Sequence, residues 1–584
     1  MARETGSEIQ PGHFLERPTA APACGECAEQ PSVAPRQPGT ARRDALAGLS
    51  RLLPAAALLP QADDARPDTS TLAAADFDVD VRSGFMPPEA PLGRLPGPSY
   101  ALPHDMSSDV CPQVSLWECM LDWAHAIPLQ LGAPEGPQAK AARAWRSAIR
   151  TMPVIHLNEA LQTDIRAVRR AHVVLSFLVH FYMHSQRDVG QYEPDAEKAA
   201  SVRAATASQM PSSWWRFARD ANDTALQKAE AHGDHVADVP PSLAVPLKAV
   251  SDMLGLPPVL TYASTVLWNW ELVDPTHGVT ASNLRIKELF TGSRSESHFF
   301  LTSLLIELAG VDALTLMRIS LNEAFAADDT ALTRMARYLE ELAAVTTRLT
   351  KLLADVSPGC VPQEFYWDIR PWFRAGDATY TEDDGERHAG WVLRGEFGEE
   401  ERVLWTGPSA GQSTLIHAMD LFLDVDHTRG KARTRLWTQQ HRSDRDARAE
   451  DATFMERMQA YMPTHHRAFL CHLRSGIATE PTVAPAMGGD DPEVTDHPIR
   501  ALVIQCLWHD PDHPLVRAYD AALHALRSLR DEHMRIAVRY IVKPAKEGRE
   551  VKPTTEEIRG TGGTALVTFL SDCRKNTRST MLAE

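Results

Sequence analysis

One stretch near the C-terminus, LVRAYDAALHALRSLRDEHMRIAVRYIVKP (515–544), leaves little freedom in how it can fold. Apolar residues recur at Tyr519, Ala522, Leu523, Leu526, Leu529, Ile536, Ala537 and Tyr540, three and four apart, the spacing of one face of an α-helix. Pro544 is where such a helix is expected to stop. His533 interrupts the apolar stripe but keeps its phase, four after Leu529 and three before Ile536, so its imidazole points where the core points. Arg530 lies about one turn earlier on nearly the same face. Such an imidazole is either a core histidine bonded to a carbonyl or an axial ligand to a bound iron, with the cation suiting an anionic cofactor group.

At 584 residues the chain is long enough for two domains and a sizeable core. A formal charge of -17 disfavours nucleic acid or an anionic membrane as partner, since both require a basic face. Met1–Gln10 is polar with no apolar run behind it, so no signal peptide is expected. HVVLSFLVHFYMH (172–184) is too short to span a bilayer and reads as a buried core helix. The eight scattered cysteines read as reduced thiols of a cytosolic protein. Cys24 and Cys27 form the only CxxC and lie in a proline-rich tail, where no metal site is expected.

Residues 1–95 hold most of the 14 prolines found in the first 100 positions and are expected to be a disordered Pro/Ala-rich tail. A small N-terminal domain is expected over 96–290 and a larger helical domain over 291–584. Residues 185–240 read as a polar insertion. VLTYASTVLWNW (259–270) reads as a helix after a proline start, and Glu296–Gly310 as a central helix apolar nearly all round. Residues 375–401 read as an acidic surface loop or hairpin. Helical periodicity dominates and strand alternation is scarce, so the fold class is all-α, mainly helical.

Taken in order, six stretches resemble the indoleamine 2,3-dioxygenase family: LPPVLTYASTVLWNW (256–270), FFLTSLLIELAG (299–310), SAGQS (409–413), YMPTHHRAFL (461–470), SLRDEHMRIAVRYIVKPA (528–545) and GTGGT (560–564). The resemblance implies a haem b (iron protoporphyrin IX) enzyme. Its substrates would be L-tryptophan and O2, its product N-formylkynurenine, and it would need a cellular reductant to keep the iron ferrous. It implies His533 as the proximal iron ligand. It also implies a cytoplasmic monomer acting in tryptophan catabolism, at the first step of the kynurenine pathway toward NAD.

By the same resemblance, Phe299 packs on the indole and Ser303 lies near bound O2; the residues alone allow core packing for Phe299 and Phe300 equally. Tyr262, Thr265 and Val266 match positions lining the indole pocket, and Phe365 one beside the substrate. Arg370 matches the arginine that pairs with the substrate carboxylate, a task suited to a planar guanidinium. Taken alone it could equally form a structural pair with Asp368. Ser409 and Ala410 line the distal side, while Asp420 and Arg530 hold the haem propionate region. Thr561 sits in a glycine-rich lid, which could also be a plain linker. Two departures from the family stand out. Thr265 occupies a position that is often cysteine, and Pro408 stands where glycine is usual, removing an N–H before Ser409. These departures keep open a second reading, an O2-binding haem protein of the same fold with little turnover. His180 and His184 are four apart, a metal-ligand spacing, but without HExxH they read as core, and His465–His466 as structural.

Overall fold

The computed structural model describes residues 77–97, 115–127, 129–132, 137–186, 238–375, 379–381, 387–389, 391–403, 405–427, 454–476, 482–484, 493–495, 497–547 and 566–582. Its organising element is the helix Pro514–Ala537, capped by His513, whose ring accepts from the Leu515 amide. It lies along the helix Asp329–Ala354, with Leu566–Ser579 also packed against it. Tyr519, Ala522, Leu523, Leu526 and Leu529 are all buried, as their spacing requires. The chain does not stop at Pro544. It passes through a π-turn, Val538–Val542, into a short helix, Lys543–Glu547. Pro544 is the second residue of that new helix, directly after the π-turn.

The helix Ile165–His184 is buried along nearly its whole length and packs against Leu116–Ala126 and Pro241–Leu254. Such a helix can hold charge only if the charge is paired. Arg170 meets Glu118 through two bonds, 2.7 and 2.6 Å, and Glu288 at 2.7 Å. Burial would raise the Glu288 carboxyl, but Arg170, His125 and Lys287 hold it at about 2. Glu118 also accepts the Leu95 amide at 2.9 Å. That bond corrects the expected tail. Residues 77–97 are packed, with Phe77, Val79, Phe85, Met86 and Leu95 buried. Proline-rich composition hid the few aromatic and aliphatic side chains that pin this segment to the core.

Two further expectations change, those for 259–270 and for the cysteines, and the hairpin expected within 375–401 is present. Only Ala263–Leu267 of the 259–270 stretch is helical, as a single π-turn, and Trp270–Leu272 pairs antiparallel with Leu284–Ile286. The β-branched and aromatic residues there suit a strand as well as a helix. The 375–401 stretch does form hairpin pairs: Thr379–Thr381 with Arg387–Ala389, and Trp391–Arg394 with Glu400–Val403. Asp238–Val239 adds to the latter in parallel. Cys119 is disulfide-bonded, not reduced, and its partner lies outside the described residues. Pairing depends on Cα separation in the fold, which spacing along the chain does not reveal. Cys24, Cys27 and most of residues 185–240 also lie outside the described residues.

The architecture is mainly helical, with two large apolar clusters among the described residues and a small third around Val542 and Ala545. One gathers Trp117, Trp145, Phe177, Trp372 and Trp391 and extends to Phe300, Phe365 and Tyr540. The other gathers Leu339, Leu415, Phe422, Leu470, Tyr519 and Leu526. The Arg294–Ala326 span is long and apolar enough to cross a membrane by length and composition. Here it is two helices that meet at Gly310, where the Leu415 side chain leaves no room for a Cβ.

Burial holds His172, His184 and His497 at about 3, and His180, His417 and His466 at about 4, well below ordinary imidazole values. In the unfolded chain these rings take protons near pH 6.5, so between that value and pH 4 the unfolded state binds more protons than the folded one. The stability they contribute is complete above pH 6.5 and is lost as pH falls through their folded values. Thermal unfolding from pH 7 to pH 4 should show a steadily falling midpoint; a flat profile would mean that the rings are not neutral in the fold.

Candidate active site

The buried stripe of Pro514–Ala537 has a gap. Leu529 and Arg530 before it are buried, and so are Ala537 and Tyr540 after it. Between them His533 and Ile536 are only half-buried, although they point inward. Burial, and then the Arg530 guanidinium, hold the His533 imidazole below its ordinary value. It makes no hydrogen bond among the described residues. It is therefore a neutral imidazole with an unused nitrogen, the form that binds a metal.

A second open stripe lies on Arg294–Ala309. Phe300, Leu304 and Glu307 are buried along one side, while Phe299, Ser303 and Ile306 are half-buried along the next. This corrects the expectation of a helix buried all round: an apolar side chain may face a cofactor space as readily as a core. Ser303 Oγ donates weakly to its own helix, to Phe299 O at 3.4 Å. The Phe299 ring lies 4.6 Å from Phe365 and 6.5 Å from Phe373, and Phe365 meets Tyr540 edge-on at 5.7 Å. These rings run from the Phe299 helix to the turn that follows the His533 helix.

Three described segments are π-turns: Ala263–Leu267, Phe365–Ile369 and Val538–Val542. Such turns occur often at functional sites. The middle one has a clear geometric effect. In an α-helix, residues five apart point about 140° away from each other. Here the Arg370 amide bonds to Phe365 O, and the extra residue in that turn brings Phe365 and Arg370 toward one face. The Arg370 guanidinium lies 5.5 Å from the Tyr366 ring centre. The segment is anchored from behind by two histidines. His180 Nδ1 bonds to Trp372 O at 2.7 Å and His184 Nε2 to Arg374 O at 2.8 Å. The i, i+4 spacing of His180 and His184 thus holds backbone; among the described residues no His, Cys, Asp or Glu cluster could hold an ion unaided.

Tyr262, Thr265 and Val266 are buried around the first π-turn. Thr265 Oγ1 donates to Thr261 O at 3.1 Å, so its hydroxyl is used within its own turn. The 407–413 loop is tied to the same turn, since Gln412 Oε1 accepts the Tyr262 amide at 2.8 Å while Gln412 Nε2 donates to Gly407 O at 2.9 Å. Gly407 is required because Phe373 O would lie 1.8 Å from any Cβ there. Pro408 is buried, Ser409 half-buried and Ala410 exposed. Ser409 Oγ accepts the Gly411 amide at 3.2 Å.

Arg530 is paired with Asp420 and with Thr577 Oγ1. Asp420 also meets His427 at 2.9 Å. Burial opposes charge on both, but Arg530 and His427 hold Asp420 at about 2, and Asp420 raises His427 to about 9. Thr561 and its glycines lie outside the described residues.

The family model for indoleamine 2,3-dioxygenase matches residues 73–580, nearly the whole chain. The chain belongs to the indoleamine 2,3-dioxygenase family. Its relatives include indoleamine 2,3-dioxygenase of Saccharomyces cerevisiae, 28% identical over 463 residues, covering 74% of this chain and 83% of that protein. Mouse indoleamine 2,3-dioxygenase 1 is 29% identical, covering 59% of this chain and 74% of that protein. Indoleamine 2,3-dioxygenase acdA of Aspergillus candidus is 27% identical, covering 88% of this chain and 98% of that protein. Family members are haem-dependent, and the donor chemistry here fits that group: an imidazole held below its ordinary value, with no hydrogen bond among the described residues, on the same helix as a buried arginine. Sequence reasoning missed Glu307, Gln412, Phe373, His180 and His427 as parts of this region. A lone acid in FFLTSLLIELAG was a visible signal for Glu307, the spacing to His184 one for His180, and SAGQS one for Gln412; Phe373 and His427 gave none.

His533→Ala should abolish stable haem incorporation while leaving the helical circular-dichroism spectrum intact. Soret absorbance per mole of purified protein is the measurement, and full occupancy in the variant would show that another side chain holds the iron.

Proposed function

We propose that this member of the family inserts both atoms of O2 across the indole C2–C3 bond of L-tryptophan, giving N-formylkynurenine. The observation that carries the reading is the half-buried His533 imidazole, without a hydrogen bond among the described residues, on the helix whose following turn sets Tyr540 against the Phe365 and Phe299 rings of the Arg370 turn and the Phe299 helix. Haem bound there in the ferrous state would bind O2 and supply the oxygen chemistry. His533 would hold its iron, Arg530 and Asp420 would meet its anionic edge, and Ser409 and Ala410 would border the site where substrate and O2 bind. The chain's own work is orientation and exclusion of water. Phe299 and Phe365, with Tyr262, Thr265 and Val266, would enclose the indole. Arg370 would receive the carboxylate with two parallel hydrogen bonds, fixing which indole edge is presented. Ser303 and the loop at Thr561 would border the substrate.

In this reading the protein is a cytoplasmic monomer, kept ferrous by a cellular reductant, acting first in the kynurenine pathway toward NAD. The free cysteines 360, 471, 506 and 573 suit that compartment, and the Cys119 disulfide does not. Pro408 favours a second reading, an O2-binding haem protein with little turnover, because it removes a backbone N–H next to Ser409.

Purified, reduced protein given L-tryptophan and O2 should yield a product heavier by two oxygen atoms, identified by mass. Absence of that product sinks the proposal. Arg370→Ala should raise KM for tryptophan by about thirtyfold or more, since losing one partner of a desolvated charge pair costs roughly 2–5 kcal/mol; an unchanged KM would remove Arg370 from substrate binding.

Pro408→Gly restores the missing N–H and should raise kcat under saturating tryptophan. An unchanged kcat would show that the reaction does not use that amide.

A further inference from the structure

The Phe299 helix carries one acid that cannot reach water. Glu307 is 2% exposed and sits one turn beyond Ser303, at the border between the buried and the half-open stripes. Its Oε1 accepts two hydroxyls, Tyr262 Oη at 2.9 Å and Ser413 Oγ at 2.6 Å. Its Oε2 is buried without a hydrogen-bond partner. Burial pushes its carboxyl above the usual range, the two hydroxyls oppose that only in part, and no cation among the described residues acts on it. Burial, and then Glu307, raise the Tyr262 phenol well above its ordinary value, so it stays a donor.

Those two bonds join three separate parts of the chain. Tyr262 opens the π-turn that carries Thr265 and Val266. Ser413 closes the turn that begins at Ser409. Glu307 belongs to the helix that carries Phe299 and Ser303. Gln412, held to the Tyr262 amide, is the neighbouring strut of the same frame. We propose that Glu307 is a positioning residue of the substrate pocket: through one oxygen it locks the 262–266 turn and the 409–413 loop to the Phe299 helix, and so sets where the indole lies. As far as it concerns the indole, this rests on the proposed function; the locking itself does not.

Two variants separate the role from simple packing. Glu307→Leu keeps comparable bulk and removes the acceptor, leaving both hydroxyls unpaired. Glu307→Gln keeps a neutral oxygen able to accept both. In the haem-loaded protein, hydrogen–deuterium exchange should quicken at 261–267 and 409–413 in the Leu variant but not in the Gln variant, with the Asp329–Ala354 helix as unchanged reference. KM for tryptophan should rise about tenfold in the Leu variant, with kcat changed far less, and Gln should restore it. Unchanged exchange at both segments in Glu307→Leu overturns the proposal, as does a Gln variant that behaves like Leu. If wild-type protein makes no product from tryptophan, the dioxygenase reading fails, while the exchange arm still decides the locking role.

Discussion

His533 is half-buried and makes no hydrogen bond among the described residues, and burial, then Arg530, hold its imidazole below the ordinary value. A neutral nitrogen without a protein partner is available to a bound group. The surroundings are arranged for that outcome. The stripe above and below is sealed by Leu529, Ala537 and Tyr540, so the ring is held by its own helix rather than by a partner. The Phe299 helix likewise leaves Phe299, Ser303 and Ile306 half-buried beside its buried side.

The walls of the site depend on local departures from helical regularity. Each π-turn lets a helix change phase without ending. At Phe365–Ile369 this brings an aromatic ring and Arg370 toward one face; at Val538–Val542 it aims Tyr540 at the Phe365 ring just after the His533 helix. Irregular turns need outside support, because their own hydrogen bonds are fewer. That support comes from buried polar side chains. His180 spans from the Trp372 carbonyl to the Leu260 amide, and Gln412 and Glu307 fasten the turn at Tyr262. The neutrality of His180 is part of this. One nitrogen must donate and the other accept, which a protonated ring cannot do.

Periodicity carried the helices, and it carried His533. The three-and-four spacing of 515–540 specifies both the buried stripe and the phase of the imidazole, and the structure keeps both. The π-turns were not legible, because an inserted residue alters phase only locally and 259–270 is apolar in any register. Nor were the clamps. His180 and Trp372 are 192 residues apart, so their bond exists only once the fold has formed. The packed segment 77–97 was hidden for another reason: composition averages over a stretch, whereas Phe77, Phe85 and Leu95 act one at a time. The site residues themselves came from an ordered set of motifs, none of which specifies a function by its physics alone.

Burial first, and the charge cluster behind the His533 helix second, hold its imidazole below the ordinary value. Asp420 is ionised and His427 is protonated across the neutral range, so with Arg530 the three groups carry one net positive charge. His427 contributes stability that is complete below pH 6.5 and lost as pH rises through about 9. Asp420 contributes stability that is complete above its ordinary value and lost as pH falls through about 2. The cluster is therefore intact throughout the range in which the neutral buried histidines begin to take protons. Its surplus cation, Arg530, stands one turn from His533 and opposes protonation of that ring. A single arrangement thus keeps the ligand nitrogen free for a metal and leaves positive charge nearby, where an anionic edge of a cofactor would be welcome.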